Sequence, residues 1–372
     1  MIGLFNFPLR QQPDGTLVSS GPISAPVLSP SQQVPILPKL SDALGSVMAQ
    51  VADAEINLIG DSWTYGYYGS SLGAMPLSRS LKSLLPNALN PAIGWQALGS
   101  NAANRDPSVW TIGTGWGASA YMGFGIYSGV NATNPAGSLV FAAEDVADTF
   151  DVMFVGVSGY GTAQIQATGG SAVPVSLNVS PAQIVIGTCS AASLAAGNSV
   201  SITGTGQMIV LACRARNSTK KQLYVNNFGV GTSLTSGWAG GSTGYSSVDA
   251  LAKTAPCLTI MQLGMNEALN NVAASTYISS LRTAISKNPA TGDLILAGPG
   301  RANPTANSGN VIARLNEYQP LVKALAAELG VRFVDVADIV GEYSAATFAD
   351  NYHLKKQGYP KVALAYHRTM FL

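Results

Sequence analysis

Residues 54–63 have the sequence AEINLIGDSW, and this stretch decides the fold. Its apolar run predicts a buried strand that ends at Gly60, where glycine permits a tight turn into Asp61 and Ser62. In an open parallel sheet, ligands bind beyond the carboxyl ends of the strands, so a serine on this turn would point its hydroxyl into the crevice. Gly-Asp-Ser is also a common turn that caps a helix, and this alternative stays open.

Strands and helices alternate in the C-terminal third of the chain. The pattern predicts strands at 258–263, 294–297 and 331–336 and helices at 273–287, 309–329 and 354–370. Gly330 follows the second of these helices at the position where helices commonly end. Strands that alternate with helices form a parallel sheet covered by helices, so the sequence predicts an α/β fold. The first predicted element of this fold is a short helix that Ser41 and Asp42 can cap.

Two regions depart from this alternation. Residues 1–40 are rich in proline, which predicts an extended N-terminal arm or linker. Residues 104–222 contain short β-rich runs separated by Gly, Ser, Asn and Pro, a spacing typical of a β-sandwich or jelly roll. We therefore expect an inserted all-β domain at 104–222, and a core formed by 41–103 and 223–372.

The composition excludes several classes of protein. Hydrophobic residues make up 47% of the 372 residues and charged residues 10%, against roughly 25% charged in an average domain, which excludes a charge-rich disordered chain. The net charge of +1 provides no field to hold nucleic acid or an anionic membrane. No apolar run approaches the roughly 20 residues of a membrane span. The N-terminus has no basic segment before an apolar run, so we expect that a secretory signal peptide is absent or has been removed.

A serine nucleophile needs a base, and the chain has 2 histidines. Asp350 precedes His353 by three residues, so its carboxylate can accept the Nδ1 proton and leave Nε2 for the serine. His367 has no such neighbour, and we expect it at the surface or in packing. Asn266 follows the predicted strand at 258–263, where its amide can donate to an oxyanion, although it is as well suited to a turn or a helix cap.

A glycine-rich run supplies a further candidate donor. Residues 226–232, NNFGVGT, follow a predicted strand at 222–225. The backbone N–H of Gly229 is approachable there because no side chain shields it. The run from Asp151 to Gly161 also combines a strand with a glycine-rich loop, so Gly159 is an alternative.

These residues, taken in chain order, resemble the blocks of the GDSL or SGNH hydrolase superfamily. The matching blocks are Gly60-Asp61-Ser62, Gly229, Gly264-Met265-Asn266-Glu267 and Asp350-x-x-His353. The resemblance covers residues 55 to about 80 and 222–372. It implies a three-layer α/β/α core of flavodoxin-like type, and the all-β, jelly-roll-like insert expected at 104–222 lies outside the resemblance. It also implies a nucleophile (Ser62), a base (His353), an orienting carboxylate (Asp350) and oxyanion donors (the amides of Ser62 and Gly229 and the side chain of Asn266).

The sequence departs from the family pattern at two positions. The third block usually ends in Asp, and here it ends in Glu267. Trp63 stands after the serine, where a small or polar residue is common, and we expect it either to narrow the pocket or to form an apolar wall for an acyl group. Together with Asp61 and Tyr65, it is our predicted substrate-binding set.

The resemblance implies a serine esterase that works through an acyl-enzyme. A β-sandwich beside the active site resembles carbohydrate-binding modules, and a Pro-rich arm is similar to those of bacteriophage tail-fibre or tailspike esterases. We therefore expect a carbohydrate O-acetylesterase (a deacetylase) acting on an acetylated polysaccharide or other glycan, in an extracellular or virion tail location. We also expect a homo-oligomer or a virion partner bound through the arm. The alternatives are a lipase-like GDSL acylhydrolase, a non-catalytic glycan receptor-binding protein and a structural virion component.

We expect no cofactor and no metal. Two histidines and dispersed carboxylates form no ligand cluster, and the glycines at 113–117 lack the strand and helix of a dinucleotide loop. Three widely spaced cysteines, Cys189, Cys213 and Cys257, predict neither a metal site nor a disulfide framework, although one bridge stays open. A set of aromatic residues fits either sugar stacking or a core, namely Trp63, Tyr65, Tyr67, Tyr68, Trp110, Trp116 and Tyr121.

Overall fold

The computed structural model describes residues 9–11, 17–19, 35–67, 77–97, 109–118, 130–240, 243 and 246–371. It divides the chain into two compact units, Met1–Pro35 and Ile36–Leu372. In the first unit, strands β1 (Leu9–Gln11) and β2 (Leu17–Ser19) pair antiparallel. Within the described ranges, no helix combines the length and hydropathy that a membrane span requires.

The second unit contains the remaining strands and all of the described helices. Its strands are β3 (Ala54–Gly60), β4 (Ala92–Ala97), β5 (Trp110–Ile112), β6 (Trp116–Ala118), β7 (Val130–Thr133), β8 (Leu139–Ala142), β9 (Ala147–Gly156), β10 (Thr162–Ala167), β11 (Val173–Ser176), β12 (Gln183–Ala195), β13 (Ser199–Thr205), β14 (Gln207–Arg216), β15 (Leu223–Gly229), β16 (Leu258–Gln262), β17 (Asp293–Ala297) and β18 (Arg332–Val334). Its helices are α1 (Pro38–Met48), α2 (Ser62–Tyr65), α3 (Leu77–Lys82), α4 (Thr235–Trp238), α5 (Ser247–Leu251), α6 (Met265–Leu269), α7 (Ala274–Lys287), α8 (Asn310–Leu329), α9 (Val336–Val340) and α10 (Tyr359–Phe371).

The central sheet is built around parallel strands. β3 pairs in parallel with β15 on one side and β16 on the other, and the sheet extends through β17 to β18 and, past β15, to β4. The residues of β15 and β16 are buried throughout, as expected for strands of a covered parallel sheet. The predicted α/β fold is therefore confirmed, with the strand that carries Ser62 in the middle of the sheet.

The same sheet continues past β4 with antiparallel strands. β14 pairs with β4 through Cys213 opposite Gln96, and then come β9 and β12. A second, antiparallel sheet of five strands has the order β11-β10-β13-β8-β5. The structure thus contains the expected all-β part. The boundaries predicted at 104 and 222 remain predictions, since residues 36–372 form one compact unit.

Strand β9 separates two hydrophobic cores. Phe150, Val152 and Phe154 pack into the core of the sandwich, whereas Met153 and Val155 belong to the core of the α/β part. Alternate side chains of a strand point to opposite faces of the sheet, which explains this division. One continuous sheet therefore supplies a wall to both cores.

A partly buried ionic network links the two parts of the sheet. Arg214 on β14 lies 2.5 Å from the Glu55 carboxylate on β3 and 2.9 Å from the Asp151 carboxylate on β9. Its guanidinium lies 4.7 Å from the ring centroid of Trp95 on β4. Burial would raise the pKa of Asp151, but Arg214 and Arg216 outweigh it and lower the pKa. The charges on this face are thus neutralised in pairs.

Several helix and strand ends differ from the prediction. Helix α1 begins at Pro38, because proline fits the first helical turn, and Ser41 lies inside the helix instead of capping it. Helix α10 begins at Tyr359, since Leu354 pairs with Phe348 in a β-bridge. The strand predicted at 331–336 ends at Val334, because Asp335 caps α9. Gly330 ends α8 with φ of 65°, as predicted.

Candidate active site

Ser62 lies at the carboxyl end of the central strand β3, as the first residue of α2. Asp61 caps this short helix, because its Oδ1 accepts a hydrogen bond from the Trp63 amide at 2.9 Å. Ser62 is 7% exposed. The Gly-Asp-Ser stretch therefore does both things that the sequence allowed: it caps a helix and presents the serine at the sheet edge.

His353 lies next to Ser62, although 291 positions separate them in the chain. The Ser62 Oγ and His353 Nε2 are 2.9 Å apart. On the other side of the ring, His353 Nδ1 lies 2.8 Å from Asp350 Oδ2. The structure thus brings together the hydroxyl, the imidazole and the carboxylate that the sequence singled out.

The Asp350 side chain stabilises the turn from Asp350 to His353. Asp350 Oδ1 accepts hydrogen bonds from the amides of Tyr352 and His353, each at 2.8 Å, which is the usual way in which Asp stabilises a turn. Burial would raise the pKa of Asp350, but the hydrogen bonds from His353 and Tyr352 outweigh it and lower the pKa. Asp350 is thereby kept ionised, in a fixed position beside the ring.

Two aromatic residues of the Ser62 turn hold the His353 loop. The indole Nε1 of Trp63 donates to the Tyr352 carbonyl at 2.7 Å. The Tyr67 ring contacts the His353 ring edge-to-face, with centroids 4.6 Å apart. The chain segment that carries the serine therefore also fixes the histidine.

Two of the three predicted substrate-binding residues are not available to a substrate. Trp63 and Asp61 are each 2% exposed, and their polar groups are occupied within the protein. Trp63 also packs against Gly300, where a Cβ would lie 2.4 Å from the indole ring. The expected acyl wall at Trp63 is thus wrong, and this residue supports the histidine loop instead. Tyr65 is half-buried at the end of α2.

Asn266 lies in α6, which starts just beyond the end of β16. Its Nδ2 donates one hydrogen to the Ser233 carbonyl at 3.0 Å. A side-chain amide nitrogen carries two hydrogens, so one remains to be donated elsewhere. Because the Gly60 carbonyl accepts from Val230 N at 3.0 Å, residues 230–233 lie beside the strand of Ser62.

The structure does not bring the Gly229 amide into the site. This amide donates to Asn227 Oδ1 at 2.9 Å, and a Cβ at Gly229 would lie 2.1 Å from the Tyr65 nitrogen. Gly229 is thus required for close packing of β15 against α2, which corrects its predicted role as an oxyanion donor. The alternative, Gly159, follows β9, which three strands (β14, β4 and β15) separate from β3.

A neighbouring glycine, Gly231, stands at the position of its strand end that corresponds to Ser62. Gly229 pairs with Gly60 in the register of β15 and β3, so Gly231 and Ser62 each come two residues after a paired glycine. Among the residues that the structure describes, no hydrogen-bond acceptor is found for the Gly231 amide. The sequence shows both Gly229 and Gly231, but only the register of β15 against β3 shows which of them corresponds to Ser62.

Two buried carboxyl groups lie beneath the site. The pKa of Asp61 is raised to about 7, mainly by burial and also by the nearby Glu267 carboxylate, although hydrogen bonds from backbone amides oppose the rise. Burial also raises the pKa of Glu267. Each side chain is 2% exposed and accepts a hydrogen bond from a backbone amide, Asp61 from Trp63 and Glu267 from Thr235.

The remaining candidates lie away from Ser62 or outside the described residues. His367 packs against Phe371, with ring centroids 4.8 Å apart, as expected for a packing role. Trp110 and Trp116 are buried in the core of the sandwich, which excludes the sugar stacking considered for them. Tyr68 and Tyr121 lie outside the described residues. The three cysteines are free and buried.

Comparisons with known proteins find one family model and several solved structures that resemble this chain. The model of the GDSL-like Lipase/Acylhydrolase family matches residues 192–361, a range that contains Asn266 and His353 but not Ser62. A peptidoglycan O-acetylesterase structure is similar, with 17% sequence identity and a TM-score of 0.66 over 91% of this chain and 97% of that chain. This similarity shows a shared fold across nearly the whole chain.

Two further structures match over a smaller part. One is a lipolytic protein of the G-D-S-L family from Veillonella parvula, with 17% identity and a TM-score of 0.34 over 41% of this chain and 82% of that chain. The other is an acetylxylan esterase from Geobacillus stearothermophilus, with 20% identity and a TM-score of 0.34 over 41% of this chain and 74% of that chain. No curated protein matches the chain by sequence.

Proposed function

We propose that this chain is a serine esterase of the GDSL or SGNH type, which removes O-acetyl groups from a carbohydrate polymer. The observation that carries the proposal is the linked contact of Ser62 Oγ with His353 Nε2 at 2.9 Å and of His353 Nδ1 with Asp350 Oδ2 at 2.8 Å. A hydroxyl, an imidazole and a carboxylate in this order are the arrangement that activates a serine nucleophile.

The chemistry follows from these positions. Ser62 Oγ attacks the ester carbonyl carbon while His353 Nε2 takes the hydroxyl proton. The tetrahedral intermediate then collapses, the alcohol leaves with the proton from His353, and the acetyl group stays on Ser62. Water attacks this acyl-enzyme and gives a proton to His353; the intermediate then collapses, Ser62 Oγ leaves with that proton, and acetate is released. Asp350 stabilises the imidazolium that forms in each half of the reaction and holds the ring orientation.

The developing oxyanion needs donors at the same edge of the sheet. We assign this role to the Ser62 amide, the Gly231 amide and the free hydrogen of Asn266 Nδ2, each of which ends beside the carboxyl end of β3. The assignment is supported by the contact of Asn266 with Ser233, two residues from Gly231. Loss of one such donor typically costs about 10²- to 10³-fold in kcat.

The acetyl ester is the finer part of the proposal. A peptidoglycan O-acetylesterase has the same fold over 91% of this chain, which is compatible with an acetylated glycan substrate. The described part of the sandwich buries its tryptophans, so we assign substrate binding to the α/β part and not to a sugar-stacking face of the sandwich.

The two histidines of the chain provide a direct test of the catalytic assignment. Ser62→Ala and His353→Ala should reduce hydrolysis of p-nitrophenyl acetate to the background rate, whereas His367→Ala should retain wild-type kcat. Wild-type protein should be labelled covalently at Ser62 by a fluorophosphonate. An inactive His367→Ala protein alongside an active His353→Ala protein would overturn the assignment.

The substrate class is tested separately. Acetate release from O-acetylated polysaccharide is compared with hydrolysis of p-nitrophenyl esters of increasing chain length. We expect activity to fall steeply beyond short acyl chains. A preference for long chains would instead favour a lipase-like acylhydrolase, and glycan binding without fluorophosphonate labelling would favour a non-catalytic receptor-binding protein.

A further inference from the structure

The loop between β15 and α4, residues 230–234, is fixed to the strand of the nucleophile. The Gly60 carbonyl accepts hydrogen bonds from Val230 N at 3.0 Å and from Ser233 Oγ at 3.2 Å. This loop contains Gly231, and its Ser233 carbonyl accepts a hydrogen bond from Asn266 Nδ2. Any movement of the loop would therefore displace two of the assigned oxyanion donors together.

Glu267 fixes the far end of this loop. Its Oε1 accepts hydrogen bonds from the backbone N and, at 2.8 Å, from the Oγ1 of Thr235, the first residue of α4. Both residues are buried, with Thr235 1% and Glu267 2% exposed. Glu267 follows Asn266 directly in α6, so one short helix holds the loop at Ser233 and at Thr235.

The contact depends on the length of the Glu267 side chain. An aspartate at this position would be shorter by one carbon–carbon bond, about 1.5 Å, and its carboxylate would not reach Thr235. The second oxygen, Oε2, is buried and accepts no hydrogen bond from the described residues. The observed contacts therefore use one oxygen as an acceptor and make no ion pair.

We propose that Glu267 is a positioning residue for the oxyanion-binding loop, fixing Thr235 so that Gly231 and Asn266 face the carbonyl attacked by Ser62. This inference rests on the proposed esterase function. Because the oxyanion forms only in the transition state, a displaced loop lowers kcat and leaves KM nearly unchanged.

Two substitutions of Glu267 separate reach from charge. Glu267→Gln keeps the length and the accepting oxygen, and it should retain kcat for p-nitrophenyl acetate within about threefold. Glu267→Asp keeps the charge but loses the reach, and its kcat should fall by at least about tenfold, with KM within about twofold of wild type. Wild-type kcat for Glu267→Asp, or an equal loss in both variants, would overturn the proposal.

Control variants exclude a general loss of structure. Glu317→Asp makes the same change at an exposed residue of α8 and should retain wild-type kcat. Thr235→Val removes the hydroxyl donor alone, so it should lower kcat in the wild-type background and have no further effect in Glu267→Asp. Additive losses in the double variant would contradict a shared contact.

Hydrogen exchange gives a readout that does not depend on esterase activity. The Thr235 amide should exchange faster in Glu267→Asp than in wild type, and at the wild-type rate in Glu267→Gln. If the wild-type protein hydrolysed no acetyl ester, the proposed function would fail. Unchanged exchange at Thr235 in Glu267→Asp would refute the positioning role itself.

Discussion

Replacing Trp63 by phenylalanine tests whether the Ser62 turn holds the histidine loop. Trp63 is 2% exposed, and its Nε1 donates to the Tyr352 carbonyl at 2.7 Å, directly before His353. Phenylalanine keeps most of the apolar surface but has no donor. The Tyr352 carbonyl would then lose this partner, which typically costs about 1–3 kcal/mol in the free energy of unfolding, in addition to the packing loss.

Trp110 offers a matched control for the packing loss. It is 3% exposed in the core of the sandwich, and its Nε1 has no hydrogen-bond partner among the described residues. Trp110→Phe removes the same atoms as Trp63→Phe but breaks no hydrogen bond. The free energy of unfolding should therefore fall by more in Trp63→Phe than in Trp110→Phe, by at least about 1–3 kcal/mol, because Trp110→Phe also removes a buried N–H that has no partner among the described residues.

Urea unfolding and steady-state kinetics with p-nitrophenyl acetate measure the two consequences. We expect Trp63→Phe to lose about tenfold in kcat, which corresponds to a loss of about 1.4 kcal/mol in transition-state stabilisation. Trp110→Phe should retain wild-type kcat. Equal losses of stability in both variants, combined with unchanged kcat in Trp63→Phe, would refute the positional role of the indole.

Two further substitutions test the carboxyl groups of the site. Asp350→Asn keeps an oxygen for the Tyr352 and His353 amides but can place an N–H opposite His353 Nδ1, which favours the wrong tautomer of the ring. The kcat should fall by about 10³- to 10⁴-fold with little change in Tm. A loss of less than about tenfold in kcat would contradict the orienting role. Because burial raises the pKa of Asp61 from 3.8 to about 7, the folded protein retains a proton that the unfolded chain releases. The free energy of unfolding should therefore fall as the pH rises through this interval, by up to about 4 kcal/mol from this group. Urea unfolding at about pH 5 and pH 8 measures this effect: relative to wild type, Asp61→Asn should be more stable at pH 8 than at pH 5. A difference between the two proteins that does not change with pH would show that Asp61 has an ordinary pKa.

The parts of the fold that local pattern controls could be predicted from the sequence. The strand at Ala54–Gly60 is an apolar run closed by glycine, and α8 ends where Gly330 adopts a left-handed conformation. Ser62, Asp350 and His353 were accessible for a different reason, since a chain with 2 histidines leaves few choices of base. The two fold predictions needed only the neighbours of each residue, whereas the choice of base needed the composition of the whole chain.

The features that depend on register and burial could not be predicted. Gly229 and Gly231 are equivalent in the sequence, and the pairing of β15 with β3 distinguishes them. The position of Trp63 after the serine suggested a pocket wall, but its direction is set by the Tyr352 carbonyl, which is distant in the chain. Likewise, no local pattern indicates that β14 joins the central sheet beside β4.

The shared sheet has a consequence for anyone who wishes to shorten or recombine this protein. Removing residues 104–222 would remove β14, whose Ala212 and Cys213 pair with β4. The unpaired edge of β4 would then be open to pairing with another chain, which promotes aggregation. It would also leave Glu55 without its arginine counter-ion. A truncated protein would therefore need a substitute edge strand, and we do not expect the all-β part to transfer to another scaffold as an independent domain.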